Sequence, residues 1–168
     1  MLVLGVDPGI ATTGWGLVES AGRKLIMVEY GVVLTPAGML QAERLLLLTH
    51  GLQEILDKHH PAVAAVEQLF FNTNVTSAFA VGQARGAILL SLAGQGIAVH
   101  EYTPLQVKSS LTGNGRAGKS QVGFMVCALL GLSKVPKPDD AADALAIAIC
   151  HATYSGNRLQ QLPREGPV

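Results

Sequence analysis

The stretch that decides the fold, residues 2–9, reads Leu-Val-Leu-Gly-Val-Asp-Pro-Gly. Its apolar run predicts a buried β-strand ending at Asp7, and the Pro-Gly pair predicts a tight turn. A charged side chain at the end of a buried strand must be paired or bound to a metal to offset its lost hydration. Aspartate before Pro-Gly is also a common turn composition, so Asp7 alone fits a turn residue as well as a metal ligand.

Outward from this strand, the order of the remaining segments predicts an α/β fold. Apolar runs predict further strands at Trp15–Glu19, Leu25–Leu34, Val63–Gln68 and Ile97–Tyr102. Apolar spacing of about 3.6 residues predicts helices at Met39–Lys58, Val75–Ala93, Leu105–Leu111, Ser120–Leu130 and Asp140–Tyr154. Three consecutive strands form an antiparallel meander, and strands separated by helices add in parallel. We therefore expect a mixed five-stranded sheet with helices on both faces.

Length and composition predict one globular domain. Of the 168 residues, 49% are hydrophobic and 14% are charged, which argues against disorder. We place the domain at residues 1–155 and a frayed tail at residues 156–168, which are polar and contain prolines. No apolar run reaches the roughly 18 residues of a membrane span, and no signal-peptide pattern opens the sequence, so we expect a cytoplasmic protein. The isolated Cys127 and Cys150 fit buried apolar residues better than a disulfide or a zinc site.

The net charge is zero, but its distribution along the chain is uneven. Residues 1–101 carry eight acids and five bases, whereas residues 102–138 carry five bases and no acid. Those five bases are Lys108, Arg116, Lys119, Lys134 and Lys137. A basic segment near a few acids suits a protein that grips a polyanion and cuts it with metal-bound carboxylates. Taken alone, this feature fits an ordinary solvated surface better.

Further acids stand where they can meet Asp7. Glu67 follows the apolar run Ala-Val-Ala-Ala-Val, so it also ends a core strand, and glutamate is not a favoured turn residue. Asp140 and Asp143 are three residues apart, so they share one face of a helix whose following alanines allow close packing on the sheet. Asp139 lies four residues before Asp143 and shares that face too, so spacing alone leaves Asp139 as an alternative ligand to Asp140, although an acid that opens a helix also favours its cap. Clustered carboxylates suit Mg²⁺ or Mn²⁺, and two such ions about 3.5–4 Å apart activate water and stabilise both oxygens of a phosphoryl displacement.

One motif in the basic segment points elsewhere. Residues 113–120 read Gly-Asn-Gly-Arg-Ala-Gly-Lys-Ser, which matches the phosphate-binding P-loop of ATPases. A P-loop follows a buried strand, but the preceding segment begins with Thr103-Pro104, a helix cap followed by a favoured first residue. We therefore interpret the glycine-rich stretch as a loop that presents Arg116 and Lys119 to a phosphate backbone.

Short stretches spread over residues 1–154 identify a family. They are Gly-Val-Asp-Pro-Gly at 5–9, Thr-Gly-Trp-Gly at 13–16, Val-Glu-Gln-Leu-Phe at 66–70, Gly-Gln-Ala-Arg-Gly at 82–86, Gln-Val-Lys at 106–108, Lys-Ser-Gln-Val at 119–122 and Asp-Ala-Ala-Asp-Ala-Leu-Ala-Ile-Ala at 140–148. In this order and spacing, the chain resembles the RuvC family of Holliday junction resolvases, the crossover junction endodeoxyribonucleases of the RNase H-like superfamily. That resemblance implies an RNase H-like fold.

The resemblance also implies a role for several residues. The family's four catalytic, metal-binding acids correspond to Asp7, Glu67, Asp140 and Asp143. Two lysines expected to engage phosphate near the cut, and to take part in catalysis, correspond to Lys108 and Lys119. Phe70 matches an aromatic residue that stacks on or wedges between junction bases. We add Arg116 and Arg85 as DNA contacts by inference, since Arg85 fits either a phosphate contact or a cap on a dimer helix.

Taken as a whole, the resemblance implies an Mg²⁺-dependent endonuclease, with Mn²⁺ as a substitute and two ions per active site. It implies a homodimer that nicks a four-way DNA junction symmetrically in recombination and repair, leaving 5′-phosphate and 3′-hydroxyl ends. A branch-migration complex of the RuvA and RuvB type is the expected partner, and the predicted helix from Val75 is either a dimer helix or a plain core helix. Two other hypotheses remain: an ATPase domain of the related actin-like fold, which normally needs a second lobe, and a non-catalytic junction-binding module.

Overall fold

The computed structural model describes residues 1–22, 24–68 and 75–161, with side chains for all of these except 75–77 and 157–161. The five strands are β1 (Leu2–Asp7), β2 (Thr12–Ala21), β3 (Lys24–Leu34), β4 (Val63–Glu67) and β5 (Ala98–Tyr102). The five helices within the described ranges are α1 (Gln41–His59), α2 (Val75–Gly94), α3 (Pro104–Thr112), α4 (Lys119–Leu130) and α5 (Asp139–Gln161). Every predicted strand and helix is present.

The largest difference from the prediction lies at the C-terminal end. Helix α5 continues to Gln161, so the first part of the expected tail is helical. Residues 157–161 read Asn-Arg-Leu-Gln-Gln, and Arg, Leu and Gln are good helix formers that extend a helix already held by packing. Residues 162–168 lie outside the described part of the chain.

The strands form one mixed sheet in the order β3-β2-β1-β4-β5. Strands β1, β2 and β3 pair antiparallel, whereas β4 pairs parallel to β1 and β5 parallel to β4. This confirms the predicted meander with two added parallel strands. The parallel connections place the carboxyl ends of β1 and β4 side by side at one edge of the sheet.

Each face of the sheet carries its own core. On one face, α1 and α2 pack Leu48, Leu52 and Ile88 against Leu4 and Leu17 of the strands. On the other face, α3, α4 and α5 cover the sheet, with Val107, Val126, Leu145 and Ile149 in the cluster. Strand side chains alternate between the faces, so odd-numbered β1 residues face α5 and even-numbered ones face α1 and α2.

Helix α3 precedes the glycine-rich stretch at 113–118, which argues against a P-loop there. The Thr103 hydroxyl oxygen accepts a hydrogen bond from the Gln106 backbone N–H at 3.1 Å, and the side-chain oxygen of Gln106 accepts one from the Thr103 backbone N–H. Pro104 is the first residue of the helix. The glycine-rich loop at 113–118 therefore follows a helix and not a strand.

A search of the described helices for a membrane-spanning segment finds none with the length and apolar character that a span requires.

Candidate active site at the carboxyl ends of β1 and β4

Four half-buried acids from three elements meet beside the carboxyl ends of the central strands. Asp7 ends β1 and Glu67 ends β4, and the parallel register pairs Val6 with Val66 immediately before them. Alternation along both strands turns Asp7 and Glu67 toward the face that α5 covers. Asp140 and Asp143 lie in the first turns of α5.

The acids are close enough for their charges to raise the pKa values of the two acids on the strands, Asp7 and Glu67. Burial and, after it, the negative charges of Glu67, Asp143 and Asp140 together raise the pKa of Asp7 to about 8, although the charge of Lys119 lowers it. Burial also raises the pKa of Glu67 to about 7, helped by Asp143 and opposed by Lys108. Such mutual repulsion is relieved by a cation, which is the behaviour expected of metal-binding carboxylates.

Gly14 of β2 allows α5 to reach Asp7. The register places Gly14 directly opposite Asp7, and a Cβ added at Gly14 would lie 2.0 Å from the backbone oxygen of Asp140. At Gly5 of β1, an added Cβ would lie 2.0 Å from the backbone oxygen of Ala144. The helix backbone therefore rests on the sheet with no side chain between them, as its alanines predict.

The turn after Asp7 is fixed by two buried threonines. The Thr13 hydroxyl donates to the Gly9 backbone oxygen at 2.5 Å, and the Thr35 hydroxyl donates to the backbone oxygen of Ile10. Arg44 of α1 donates from Nε to the Thr35 hydroxyl at 3.0 Å. These bonds satisfy the polar groups of the turn and hold the end of β1 in place.

Both predicted lysines line one cavity of about 260 Å³ together with Glu67 and Asp143. Lys119 Nζ lies 3.1 Å from Asp143 Oδ2 and 3.4 Å from Asp139 Oδ2. Partial burial lowers the pKa of Lys119. Its hydrogen bonds to Asp143 and Asp139, together with the negative charges of these two acids, outweigh burial, so the pKa is raised overall. Lys119 is therefore a cation throughout the neutral range.

Asp139 does more than begin the helix. It is the first residue of α5, and Lys137 Nζ lies 2.5 Å from its Oδ1. Hydrogen bonds from Lys137 and Lys119, followed by their charges, lower the pKa of Asp139. The cap assignment missed these ion pairs because spacing along α5 says nothing about which lysines from other segments approach it.

Arg85 and Arg116, the other predicted DNA contacts within the described residues, form no ion pair with the four acids. The Arg85 guanidinium lies on the α2 side of the sheet, where Nε donates to the Glu67 backbone oxygen at 3.3 Å and NH2 pairs with Glu101. Arg116 is exposed in the loop between α3 and α4 and is not part of the lining of the 260 Å³ cavity. Phe70 lies outside the described residues. The DNA-contact assignments of Arg85, Arg116 and Phe70 stay predictions.

The donor chemistry of the site fits a hard divalent cation. Within the described ranges, no three acidic, histidine or cysteine side chains are arranged to hold one ion as they stand, and Lys119 engages Asp143 instead. The four acids nevertheless offer only oxygen donors and sit half-buried, and their charges raise the pKa values of Asp7 and Glu67. Oxygen-only donor sets favour Mg²⁺ or Mn²⁺ over zinc or copper.

Gly14 is the functional residue that sequence reasoning left without a role. Glycine inside a strand marks a place where another backbone approaches, and Gly14 and Gly16 both stand inside β2. That signal was available in the sequence. It does not say which element approaches, because α5 lies more than a hundred residues further along the chain.

Comparison with known proteins gives a consistent result. The family model described as crossover junction endodeoxyribonuclease RuvC matches residues 3–151. The RuvC of Desulfitobacterium hafniense is 54% identical over 162 residues, covering 96% of this chain and 98% of the relative, and that of Chloroflexus aggregans is 56% identical over 161 residues with the same coverage. Among solved structures, Thermus thermophilus RuvC superposes with a TM-score of 0.87 at 39% identity, covering 95% of this chain and 97% of that one. The T. thermophilus RuvC in complex with a Holliday junction substrate gives 0.85 at 37% identity, covering 92% and 95%.

Proposed function

This chain belongs to the RuvC family of crossover junction endodeoxyribonucleases, and on that premise we propose that it resolves four-way DNA junctions by Mg²⁺-dependent hydrolysis. The products are a 5′-phosphate and a 3′-hydroxyl at each nick. The observation that carries this proposal is the meeting of four acids from β1, β4 and α5, with the pKa of Asp7 raised to about 8. An isolated turn aspartate would show no such coupling to three other carboxylates.

In the proposed mechanism, the acids hold two cations and the lysines hold the phosphate. Asp7, Glu67, Asp140 and Asp143 would bind Mg²⁺, with Mn²⁺ as a substitute. Bound ions of this kind supply an activated water and stabilise the attacking and leaving oxygens of a phosphodiester. Asp7 and Glu67 must lose their protons before they can bind, so their raised pKa values make binding depend on pH near neutrality.

Lys108 and Lys119 supply the positive charge that the cleaved phosphate needs. Both line the 260 Å³ cavity beside Glu67 and Asp143, so a phosphate entering it meets two ammonium groups from different helices. Fixed positive charge beside the reacting group stabilises negative charge that develops in the transition state. Arg116, Phe70 and Arg85 are proposed to contact DNA away from the reacting phosphate.

We also propose that the active protein is a homodimer, with the outer face of α2 as the contact. Ala84, Ile88 and Leu92 of α2 are buried in the core, whereas Phe79 and Leu90 are 68% and 76% exposed. Phe79 and Leu90 are three helical turns apart, so they fall on one stripe of the helix. An open apolar stripe of this kind suits a second copy of the chain, and a two-fold dimer matches the approximate two-fold symmetry of a four-way junction.

The dimer proposal is tested by sedimentation of Leu90→Glu beside Leu105→Glu. Both leucines are exposed, but Leu105 lies on α3, on the opposite face of the sheet. We expect Leu90→Glu to sediment as a monomer and Leu105→Glu to sediment like the parent protein. A dimeric Leu90→Glu would refute α2 as the contact. Binding to a branch-migration complex of the RuvA and RuvB type, the further proposed partner, is measurable by co-sedimentation on a junction.

The catalytic proposal is tested with a synthetic four-way junction, with and without Mg²⁺. Asp7→Asn keeps the shape of the side chain and removes its charge, so we expect junction binding to persist while nicking falls by about a thousandfold or more. Asp57→Asn is a matched control that should leave nicking unchanged, because Asp57 is an exposed aspartate of α1, on the opposite face of the sheet from α5. A junction bound but never nicked by the parent protein would support the non-catalytic module instead.

A further inference from the structure

Lys119 is shared between one proposed metal ligand and one acid that is not a proposed ligand. Its ammonium lies 3.1 Å from Oδ2 of Asp143 and 3.4 Å from Oδ2 of Asp139. Asp139 and Asp143 are four residues apart on α5, so their side chains stand on one face and one ammonium reaches both. The other oxygen of Asp139, Oδ1, holds Lys137 at 2.5 Å.

The lysine also stands on the wall between two cavities. On one side lies the 260 Å³ cavity with Glu67 and Lys108. On the other side lies a cavity of about 340 Å³, to whose lining Asp139 and Lys137 contribute. Lys119 and Asp143 line both cavities. The ammonium therefore has open space on the Asp139 side into which a small side-chain rotation would carry it.

A cation bound to Asp143 would repel the ammonium that now rests on it. Two positive charges about 4 Å apart interact unfavourably even in a partly solvated site, so the ion and Lys119 compete for the Asp143 carboxylate. With Asp139 present, the displaced ammonium keeps an acidic partner within the same turn of helix. Without Asp139, leaving Asp143 would leave Lys119 with no carboxylate partner among the described ion pairs.

We propose that Asp139 is a positioning residue for Lys119, which receives the ammonium when Asp143 binds a divalent cation. By doing so it frees Asp143 for the metal and keeps Lys119 at the rim of the site, where the phosphate enters. The inference rests on the proposed function, because it requires Asp143 to be a metal ligand. The other oxygen of Asp139 stays paired with Lys137.

Two simpler roles for Asp139 predict different behaviour. If Asp139 only stabilises the start of α5, replacement by Asn changes little, since Asn has similar size and is as good at a helix start. If Asp139 only adds negative charge that attracts a cation, its replacement weakens metal binding whether or not Lys119 is present. The positioning role alone makes the effect of Asp139 depend on Lys119.

The test is a double-mutant cycle on the binding of Mn²⁺ alone, without DNA, followed by the electron paramagnetic resonance signal of free Mn²⁺. The cycle uses the full chain and four proteins: parent, Asp139→Asn, Lys119→Met and the double variant. Lys137→Met is the matched control, since it removes an equal charge from Asp139 without touching Asp143. Thermal melting checks that all variants are folded, and both exposed substitutions in the cycle leave the core unaltered.

We expect Asp139→Asn to weaken Mn²⁺ binding by about two- to fivefold, the range of a partly exposed ion pair. Lys119→Met should strengthen binding, because it removes the competitor for Asp143. In the Lys119→Met background, Asp139→Asn should change the affinity by less than about 1.5-fold, which is the coupling that a positioning role requires. Lys137→Met should bind Mn²⁺ within about twofold of the parent protein.

Two results would overturn the inference. An equal loss of affinity from Asp139→Asn in both backgrounds would show that Asp139 acts through charge alone, and unchanged affinity in the single variant would show that it only begins the helix. Failure of the proposed function looks different. In that case Mn²⁺ binding to the parent protein would be absent, or would be insensitive to Asp7→Asn, which lies outside the cycle.

Discussion

The two faces of the sheet are packed by different means. On the α1 and α2 face, large side chains such as Leu52 and Ile88 separate the helices from the strands and fill the core. On the α5 face, Gly5 and Gly14 remove that spacer, and the helix backbone lies directly on the strands. The first arrangement buries apolar area, whereas the second brings acids on a helix to acids on strands. Both faces therefore bury a core that stabilises the domain, and only the α5 face also builds the site.

The two faces also differ in how their acids are held. Glu29, an exposed acid of β3, has its pKa lowered by a hydrogen bond from Lys58 and by the charges of Lys58 and His59 of α1. On the α5 face, Asp7 and Glu67 have raised pKa values because burial and neighbouring acids disfavour their charged forms. Glu29 is held by ion pairs with Lys58 and His59, whereas Asp7 and Glu67 take part in none of the ion pairs among the described residues.

The largest effect on the site is expected from a side chain added where the α5 backbone now lies directly on the sheet. Gly14→Ala places a Cβ only 2.0 Å from the Asp140 backbone oxygen, so α5 must move away from β2. A displacement of about 1 Å costs roughly a hundredfold in nicking, and overpacking costs about 1–3 kcal/mol of stability. Nicking of a synthetic junction and thermal melting measure the two effects.

The control for this substitution lies on the other face. Gly94 ends α2 in open space, with no atom within 4 Å of an added Cβ. Gly94→Ala should therefore leave nicking unchanged and leave stability equal or slightly higher. Equal nicking by Gly14→Ala and Gly94→Ala would mean that close approach of α5 is not needed for the site.

A change of pH should affect the acids of the two faces in opposite directions. Folding raises the pKa of Asp7 to about 8, so its contribution to stability falls as pH rises from about 4 to 8. The metal-free protein should lose stability over that window, and at pH 8.5 Asp7→Asn should be more stable than the parent protein by about 0.5–2 kcal/mol. Nicking at low Mg²⁺ should rise by up to about tenfold per unit between pH 6 and 8, because deprotonation and metal binding are linked.

Glu29 should respond in the opposite direction. Its lowered pKa contributes stability above its unfolded value of 4.5, and this is lost as pH falls through the folded value. Melting curves in EDTA for the parent protein, Asp7→Asn and Glu29→Gln measure both trends. An Asp7→Asn protein whose stability declines with pH as steeply as that of the parent would remove Asp7 as the cause.

The smallest effect on nicking is expected from a substitution in the core between the sheet and helices α1 and α2. Leu52 of α1 is only 2% exposed, so Leu52→Ala should lower the free energy of unfolding by about 2–5 kcal/mol. Nicking measured well below the melting temperature should stay within about twofold, since none of the four acids or the two lysines belongs to this core. Denaturant unfolding and the nicking assay give the two values. A large loss of nicking in folded Leu52→Ala would show that the two faces are coupled.

Local pattern predicted the strands and helices well, and it pointed to acids at the ends of two strands as candidate site residues. Alternating and apolar runs placed all five strands, and the Thr103 and Pro104 signature placed the start of α3. The acids at the ends of β1 and β4 were visible because a charge after a buried run is unusual. These features depend on neighbours in sequence, so the chain itself displays them.

Ion-pair partners were not predictable in this way. Arg85 and Glu101 come from α2 and β5, and their pairing depends on how a helix crosses a sheet. Lys119 meets Asp139 only because α4 and α5 pack side by side in the folded protein. Long flexible side chains have many possible partners, and only the final arrangement of elements selects one.

The order of strands and helices, and the mixed sheet with Asp7 at the end of its first strand, could be predicted from the sequence, because residues close together along the chain carry these signals. The approach of the α5 backbone to Gly14, opposite Asp7, and the position of Lys119 between Asp143 and Asp139 arise only in the folded protein. Both features depend on distances between segments far apart in sequence. Packing sets such distances to within an ångström, which no local pattern can do.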